Sequence, residues 1–260
     1  MNINRIAKEL KALLKIDREV VGVKLVNSKE NYYKYSGEEL NKPLSYCVAV
    51  KSASLGHSIK LNKKTGGCLG GNRALGLSEI NDNFKSGKNG YDLGLYKNRE
   101  ISKSVANEIP KLENDTYGII IKPLQFFEAP PDVVLIISNT REAMRILQGY
   151  TCTYGLLKDM SMSGNQAVCV EATLQPIKTN EMNISMFCSG TRYKCGWKES
   201  EVISGISISK IEGLIEGLKY TVNAIEMNDR KKEIEKDLKK LESLDFEVDY
   251  EKTYFKNWSK

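Results

Sequence analysis

The chain has 260 residues, of which 41% are hydrophobic and 28% are charged, as in an ordinary globular protein. That length suffices for one large domain or two small ones with a substantial buried core. The formal net charge is +6, and much of the lysine alternates with acidic residues, so the excess predicts a solvated surface and not a nucleic-acid footprint.

The sequence gives no sign of a membrane span or of a secretion signal. No apolar run reaches the roughly 18 residues that a membrane helix needs. The first residues lack the apolar core and the small-residue cleavage site of a signal peptide. We therefore expect a cytoplasmic protein without a membrane or nucleic-acid partner, in which the six cysteines are reduced thiols and not disulfides.

Helices and short strands alternate along the chain. Runs of β-branched residues predict strands at 20–26, 118–122, 133–137, 183–187 and 202–208. Helical periodicity and capping residues predict helices at 2–15, 45–55, 102–109, 140–147, 164–174 and 211–227. A glycine-rich turn is expected at 65–71, followed by a short helix or turn at 73–77.

These elements predict the α/β class (mixed α+β), folded as one large unit. The unit is expected to span residues 1–227. The highly charged segment 228–260 predicts a helical extension on the surface, with an aromatic-bearing end.

The most informative feature is a pair of similar cysteine segments. Cys68 begins the stretch Cys-Leu-Gly-Gly-Asn-Arg, and Cys188 begins the stretch Cys-Ser-Gly-Thr-Arg. Each is preceded at a similar spacing by another cysteine, Cys47 in the first case and Cys169 in the second. The pattern predicts a shared sulfur-rich site.

The order of cysteine helix, connector and Cys-x-Gly turn occurs twice. It indicates a weak internal duplication of residues 40–77 and 160–196, which would fold into two similar halves around a shared cysteine site. Chance similarity between two glycine turns is the competing interpretation.

The chain has six cysteines and a single histidine, His57, so cysteine sulfur is the expected metal ligand. Iron–sulfur clusters are commonly held by four cysteine thiolates. We therefore predict a 4Fe–4S cluster bound by Cys47, Cys68 and Cys188, with Cys169 as the possible fourth ligand. Glycines beside Cys68 would let the backbone approach the cluster.

Two arginines close to the Cys-x-Gly turns are candidates for substrate binding. Arg73 and Arg192 could offset the charge of a cluster or orient an anionic substrate. With three thiolates bound, an open iron could act as a Lewis acid on a small anionic or sulfur-containing substrate. With four bound, electron transfer to a redox partner or sensing is expected.

Other interpretations stay open at this stage. Buried free cysteine is a common core residue, and the apolar surroundings of Cys169 are typical of that role. A zinc site is disfavoured because the close C-x₂₋₄-C pairs of zinc knuckles are missing. The chain could instead be a metal-free small-ligand-binding or regulatory module. Helix 211–227 could also assemble a homo-oligomer.

Several blocks, in order, resemble the domain-of-unknown-function family 169. The blocks begin at Tyr46 (Tyr-Cys-Val-Ala-Val-Lys), Gly67 (Gly-Cys-Leu-Gly-Gly), Pro131 (Pro-Asp-Val-Val-Leu), Gln166 (Gln-Ala-Val-Cys-Val-Glu-Ala) and Asn183. The resemblance covers about residues 5–227.

The resemblance implies a single α/β-type unit and cytoplasmic proteins of anaerobic archaea and bacteria. It makes Cys47, Cys68, Cys169 and Cys188 the family-type cysteines, whereas Cys152 and Cys195 lie outside the pattern. It implies no substrate and leaves open whether the protein is an enzyme.

Overall fold

A six-stranded sheet forms the centre of the part of the chain that the computed structural model describes, residues 2–113 and 115–244. Its strands are β1 (Val21–Val26), β2 (Ile59–Asn62), β3 (Gly118–Pro123), β4 (Val133–Asn139), β5 (Met182–Ser185) and β6 (Glu201–Ser207). The order across the sheet is β2-β3-β1-β4-β6-β5, and adjacent strands are antiparallel. Val23 pairs with Ile121 on one side and with Val133 on the other, which fixes the side chains that share a face.

Thirteen α-helices and one π-helix occur within the described ranges. The α-helices are α1 (Ile3–Leu14), α2 (Lys29–Lys34), α3 (Tyr46–Ala53), α4 (Leu69–Ala74), α5 (Asp82–Lys85), α6 (Lys88–Asp92), α7 (Arg99–Glu108), α8 (Thr140–Tyr154), α9 (Gln175–Thr179), α10 (Ser189–Cys195), α11 (Ile211–Tyr220), α12 (Val222–Ile225) and α13 (Asn228–Glu242). The π-helix is Ala167–Leu174 and leads directly into α9. The side chains of Asn2, Asn98 and Asn139 cap the starts of α1, α7 and α8.

Helices cover both faces of the sheet and produce three layers. On one face, α1, α8 and α11 pack around an apolar core that includes Ile136. On the other face, α3, α4 and the π-helix pack over Val133 and Leu135. Because β4 is buried on both faces, its sequence is an almost unbroken apolar run. The predicted mixed α/β class is confirmed.

Most of the predicted elements are confirmed. The five predicted strands occur as β1, β3, β4, β5 and β6, with ends shifted by at most two residues. The helices predicted at 2–15, 45–55, 102–109 and 140–147 occur as α1, α3, α7 and α8, and α8 continues to Tyr154. The edge strand β2 was not predicted, since Ile59–Asn62 is too short to show an alternating pattern.

Three local predictions are corrected by the structure. The glycine turn at 65–71 already contains the start of α4. The polar stretch before α7, for which no element was predicted, holds the short helices α5 and α6. The helix predicted at 164–174 is a π-helix and begins at Ala167. The helix predicted at 211–227 is interrupted at Thr221, whose Oγ1 donates a 2.7 Å hydrogen bond back to the Gly217 carbonyl.

The strand order is symmetric about the central β1–β4 pair. The segment from β1 to β3 and the segment from β4 to β6 each contribute one central, one intermediate and one edge strand. In each segment a cysteine-bearing helix comes before the edge strand, and a helix with cysteine at its N-cap follows it. This arrangement is compatible with two similar halves, but a duplication of 40–77 and 160–196 stays a prediction.

The charged extension begins with α13, which packs against α1. Ile234 is buried in the first core cluster, and the Lys15 ammonium lies 2.8 Å from the Asp237 carboxylate. The predicted aromatic end falls at 245–260, outside the described residues. A division into 1–227 and 228–260 stays a prediction. Among the described helices, none combines the length and the apolar character that a membrane span requires.

Candidate functional site

The four cysteines of the paired pattern line the same cavity. This cavity has a volume of about 700 Å³, a size typical of small-molecule sites. Its lining includes Cys47, Cys68, Cys169 and Cys188. Four separate elements carry them, so the fold brings together thiols that are distant in sequence.

Three of these cysteines lie at helix starts. Cys68 and Cys188 are the N-cap residues of α4 and α10, and Cys47 lies in the first turn of α3. In the described ranges, no side chain caps any of these three starts. Ser45 holds the predicted cap position of α3, but its Oγ lies 3.3 Å from the Cys47 sulfur and not on a backbone N–H.

The turn before α4 brings Cys68 close to Cys169. The Asn72 side-chain amide donates a 2.8 Å hydrogen bond to the Gly66 carbonyl and closes the turn. A Cβ placed on Gly71 would lie 3.8 Å from the Cys68 Cβ and 3.9 Å from the Cys169 Cβ. Gly71 therefore borders both cysteines, and a Cβ at this position would make ordinary van der Waals contact with each.

Cys169 lies on the π-helix, whose widened turns are held by hydrogen bonds within the helix and to α3 and β5. The Thr173 hydroxyl donates a 2.7 Å bond to the Val168 carbonyl, and the Thr173 and Tyr46 hydroxyls are 2.8 Å apart. From β5, the Asn183 side-chain amide donates to the Glu171 carbonyl. π-Helical turns are rare and occur often at functional sites.

The thiol of Cys195 is the partner of Cys47. The hydrogen bond between these side chains is the largest influence that holds the Cys47 pKa well below its usual range. Hydrogen bonds from Ser45 and Thr191 and the charge of Lys194 act in the same direction, against the effect of burial. The same bond raises the pKa of Cys195. Both shifts favour the thiolate on Cys47 over the thiolate on Cys195.

Sequence analysis missed this role of Cys195. Thr191 and Cys195 are four residues apart on α10, and their side chains are in contact at 3.6 Å. The helical spacing was visible in the sequence, but the packing of α10 against α3 was not.

The thiol of Cys169 has a raised pKa. Burial is the main cause, and the charges of Cys68, Cys188 and Cys47 add to it. Cys68, Cys188 and Cys47 are therefore close enough to Cys169 to influence the ionisation of its thiol. A cation bound among them would act in the opposite direction and favour the thiolate.

Comparison with known proteins confirms the family that the sequence blocks resemble. Residues 9–217 match the domain-of-unknown-function family 169, which is described as uncharacterised ArCR. The chain belongs to this family. The uncharacterised protein MJ0308 of Methanocaldococcus jannaschii is similar to the family 169 chain, with 28% identity over 227 residues that cover 85% of this chain and 96% of the relative. No solved structure matches the family 169 chain.

The two arginines proposed for substrate binding lie in different environments. Arg73 lines the cavity of this family 169 protein, and its guanidinium lies 5.7 Å from the centre of the Phe84 ring. The Arg192 guanidinium donates to the carbonyls of Met186, Lys198 and Glu201 at 2.8–3.1 Å. Arg192 therefore joins backbone segments around α10, and its role in substrate binding stays a prediction.

The donors do not form a closed site for a single ion. Within 2–113 and 115–244, no three Cys, His, Asp or Glu side chains are grouped closely enough to hold one metal ion. Thiolates around one zinc ion stand about 3.8 Å apart, because Zn–S bonds of about 2.3 Å point to the corners of a tetrahedron. A cluster of several irons spreads its cysteine ligands over a wider space.

The sixth cysteine lies apart from this cavity. Cys152 is exposed on α8 and is not among the residues that line the cavity. It provides a matched control for experiments on the other cysteines.

Proposed function

We propose that the cavity binds a 4Fe–4S cluster through the thiolates of Cys47, Cys68 and Cys188, with Cys169 as the candidate fourth ligand. The observation that carries this proposal is the presence of four thiols, from four separate elements, around the same cavity. Thiolate is the ligand that iron–sulfur clusters use, and four is their common number.

The surroundings of the thiols fit a negatively charged group. The uncapped N–H groups at the starts of α3, α4 and α10 favour negative charge nearby. The side chains of Arg73 and Lys194 add positive charge to the lining. The free thiols also agree with a reducing, cytoplasmic setting, which we include in the proposal.

Cys169 would decide the chemistry of the site. As the most buried of the four and the one with a raised pKa, it is the least readily ionised ligand. If three thiolates held the cluster, an open iron would be able to act as a Lewis acid on a substrate. Arg73 would then orient an anionic group. When all four thiolates bind, electron exchange with a redox partner is expected, and the chain need not be an enzyme.

Oxygen-free reconstitution with iron and sulfide tests the proposal. We expect a brown protein with broad visible absorption, whose colour is lost in Cys68→Ser and Cys188→Ser and retained in Cys152→Ser. If Cys169→Ser retains the colour, three thiolates suffice. A wild-type chain that stays colourless and free of iron under these conditions would refute the cluster.

A metal-free small-ligand-binding or regulatory module is the second candidate, and one observation favours it. Besides the four thiols, the lining of the cavity includes an apolar wall with Phe84, Leu93 and Val105. In this case Cys68→Ser and Cys188→Ser would leave the fold and the binding of an apolar dye unchanged. Light scattering would show whether the chain forms the expected homo-oligomer.

A further inference from the structure

The cavity has a second wall that does not carry sulfur. It is formed by the segment between α4 and β3, which contains α5, α6 and α7. The Ser102 hydroxyl donates a 2.6 Å bond to the Gly87 carbonyl, so α7 holds α6 in place. The Asn165 amide lies 3.5 Å from the Tyr96 hydroxyl and connects this wall to the loop before the π-helix.

Three leucines of the lining are unusually exposed. Leu69 is 70% exposed, Leu93 is 74% exposed and Leu95 is 48% exposed. Phe84 and Val105 continue the apolar surface inside the cavity. Apolar surface that converges on a cavity is typical of a ligand site, since its burial by a ligand is favourable.

Two cations of the described lining make no ion pair with a carboxylate. Arg73 and Lys194 make no ion pair within the described ranges, whereas the lining carboxylate of Asp92 is bound by Lys88. Arg73 is next to the apolar wall, because its guanidinium lies over Phe84. A ligand that satisfies both features needs a negative group and an apolar body.

We propose that this cavity binds an amphipathic organic anion, with its acidic group at Arg73 and its apolar chain or ring along the α5–α7 wall. The inference names the ligand class for the proposed site but does not depend on iron. Arginine suits a carboxylate because its planar guanidinium can donate two parallel hydrogen bonds. The apolar wall supplies the part of the binding free energy that grows with chain length.

Titration calorimetry with octanoate, 1-octanol and acetate tests the proposal in metal-free and in reconstituted protein. We expect octanoate to bind more tightly than either comparison ligand. Arg73→Gln should weaken octanoate roughly tenfold and leave octanol unchanged, as expected for loss of a charged hydrogen bond. Leu93→Ser should weaken octanoate and octanol alike by roughly threefold, since less apolar area is buried.

Two control variants show whether a change in octanoate affinity is specific to the cavity. Arg5→Gln removes an exposed arginine far from the cavity, and Leu55→Ser removes a leucine that is 60% exposed elsewhere. Neither should change octanoate binding. The proposal would be overturned if octanoate bound no better than acetate, or if neither Arg73→Gln nor Leu93→Ser changed the affinity for octanoate. Octanoate binding to a protein that never takes up iron would refute the cluster alone.

Discussion

The two faces of the sheet differ in what they bury. The face of α1, α8 and α11 is filled with hydrocarbon and closed by ion pairs, among them a 2.7 Å contact between the buried side chains of Arg145 and Glu226. The face of α3, α4 and the π-helix also buries apolar residues, but it opens into a cavity lined by thiols. Both faces therefore bury an apolar core, and the second face also contributes the lining of the thiol cavity.

Breaking the ion pair on the closed face should have the largest effect on stability. Glu226→Ala leaves the fully buried Arg145 guanidinium without its carboxylate, and such losses lower the free energy of unfolding by about 3–5 kcal/mol. Urea denaturation measures the change. Glu216→Ala, at an exposed position on α11, should stay within about 0.5 kcal/mol of wild type. Equal effects for the two variants would contradict this account of the closed face.

The contact between the π-helix and the sheet should be the next most sensitive position. A Cβ on Gly205 of β6 would stand 1.7 Å from the Ala172 carbonyl oxygen, so Gly205→Ala must displace the helix that carries Cys169. We expect a loss of about 1–3 kcal/mol in thermal denaturation. Gly190→Ala on α10 is the matched control, because a Cβ there meets nothing within 4 Å. A neutral Gly205→Ala would mean that the π-helix does not rest on β6 in this way.

On the face of the sheet that contains the cavity, the expected effect is on the reactivity of the Cys47 thiol. Cys195→Ala removes the main hydrogen bond that lowers the Cys47 pKa, so that pKa should rise and the thiolate fraction at pH 6–7 should fall. The rate of alkylation of Cys47 in metal-free protein can be measured by peptide mass spectrometry. This rate should fall by up to roughly tenfold for each unit by which the Cys47 pKa rises. The rate at exposed Cys152 should not change. An unchanged Cys47 rate would show that Cys195 is not its partner.

The smallest effect on stability is expected for the thiols at the helix starts. Serine is a favoured N-cap residue, so Cys68→Ser at the start of α4 should change the free energy of unfolding of metal-free protein by less than about 1 kcal/mol. Urea denaturation without iron measures this change. A loss as large as that of Glu226→Ala would assign Cys68 to the core and remove the contrast between the two faces.

The sequence predicted the elements with strong local patterns. β4 was visible as an apolar run, and the repeated segments drew attention to Cys68 and Cys188, which line the same cavity. The π-helix was not predictable, because its geometry depends on Asn183 and Gly205 from the sheet. Likewise, the position of Arg192 on three carbonyls depends on the tertiary fold.

The second wall of the site was missed for a different reason. Helices α5 and α6 have four and five residues, too few to show a helical period. Their glycine and lysine content is typical of a surface loop, and only the fold places Leu93 beside the cavity. The sequence therefore indicated the four cysteines of the site but not the α5–α7 wall that would select its ligand.

The content of iron and acid-labile sulfide in protein reconstituted without oxygen tests the central claim most directly. The account predicts about four of each per chain, since a 4Fe–4S cluster would be shared by the thiols around one cavity. Cys152→Ser should give the same content and Cys68→Ser much less. A wild-type chain that retains neither iron nor sulfide would contradict the claim that these cysteines surround an inorganic centre.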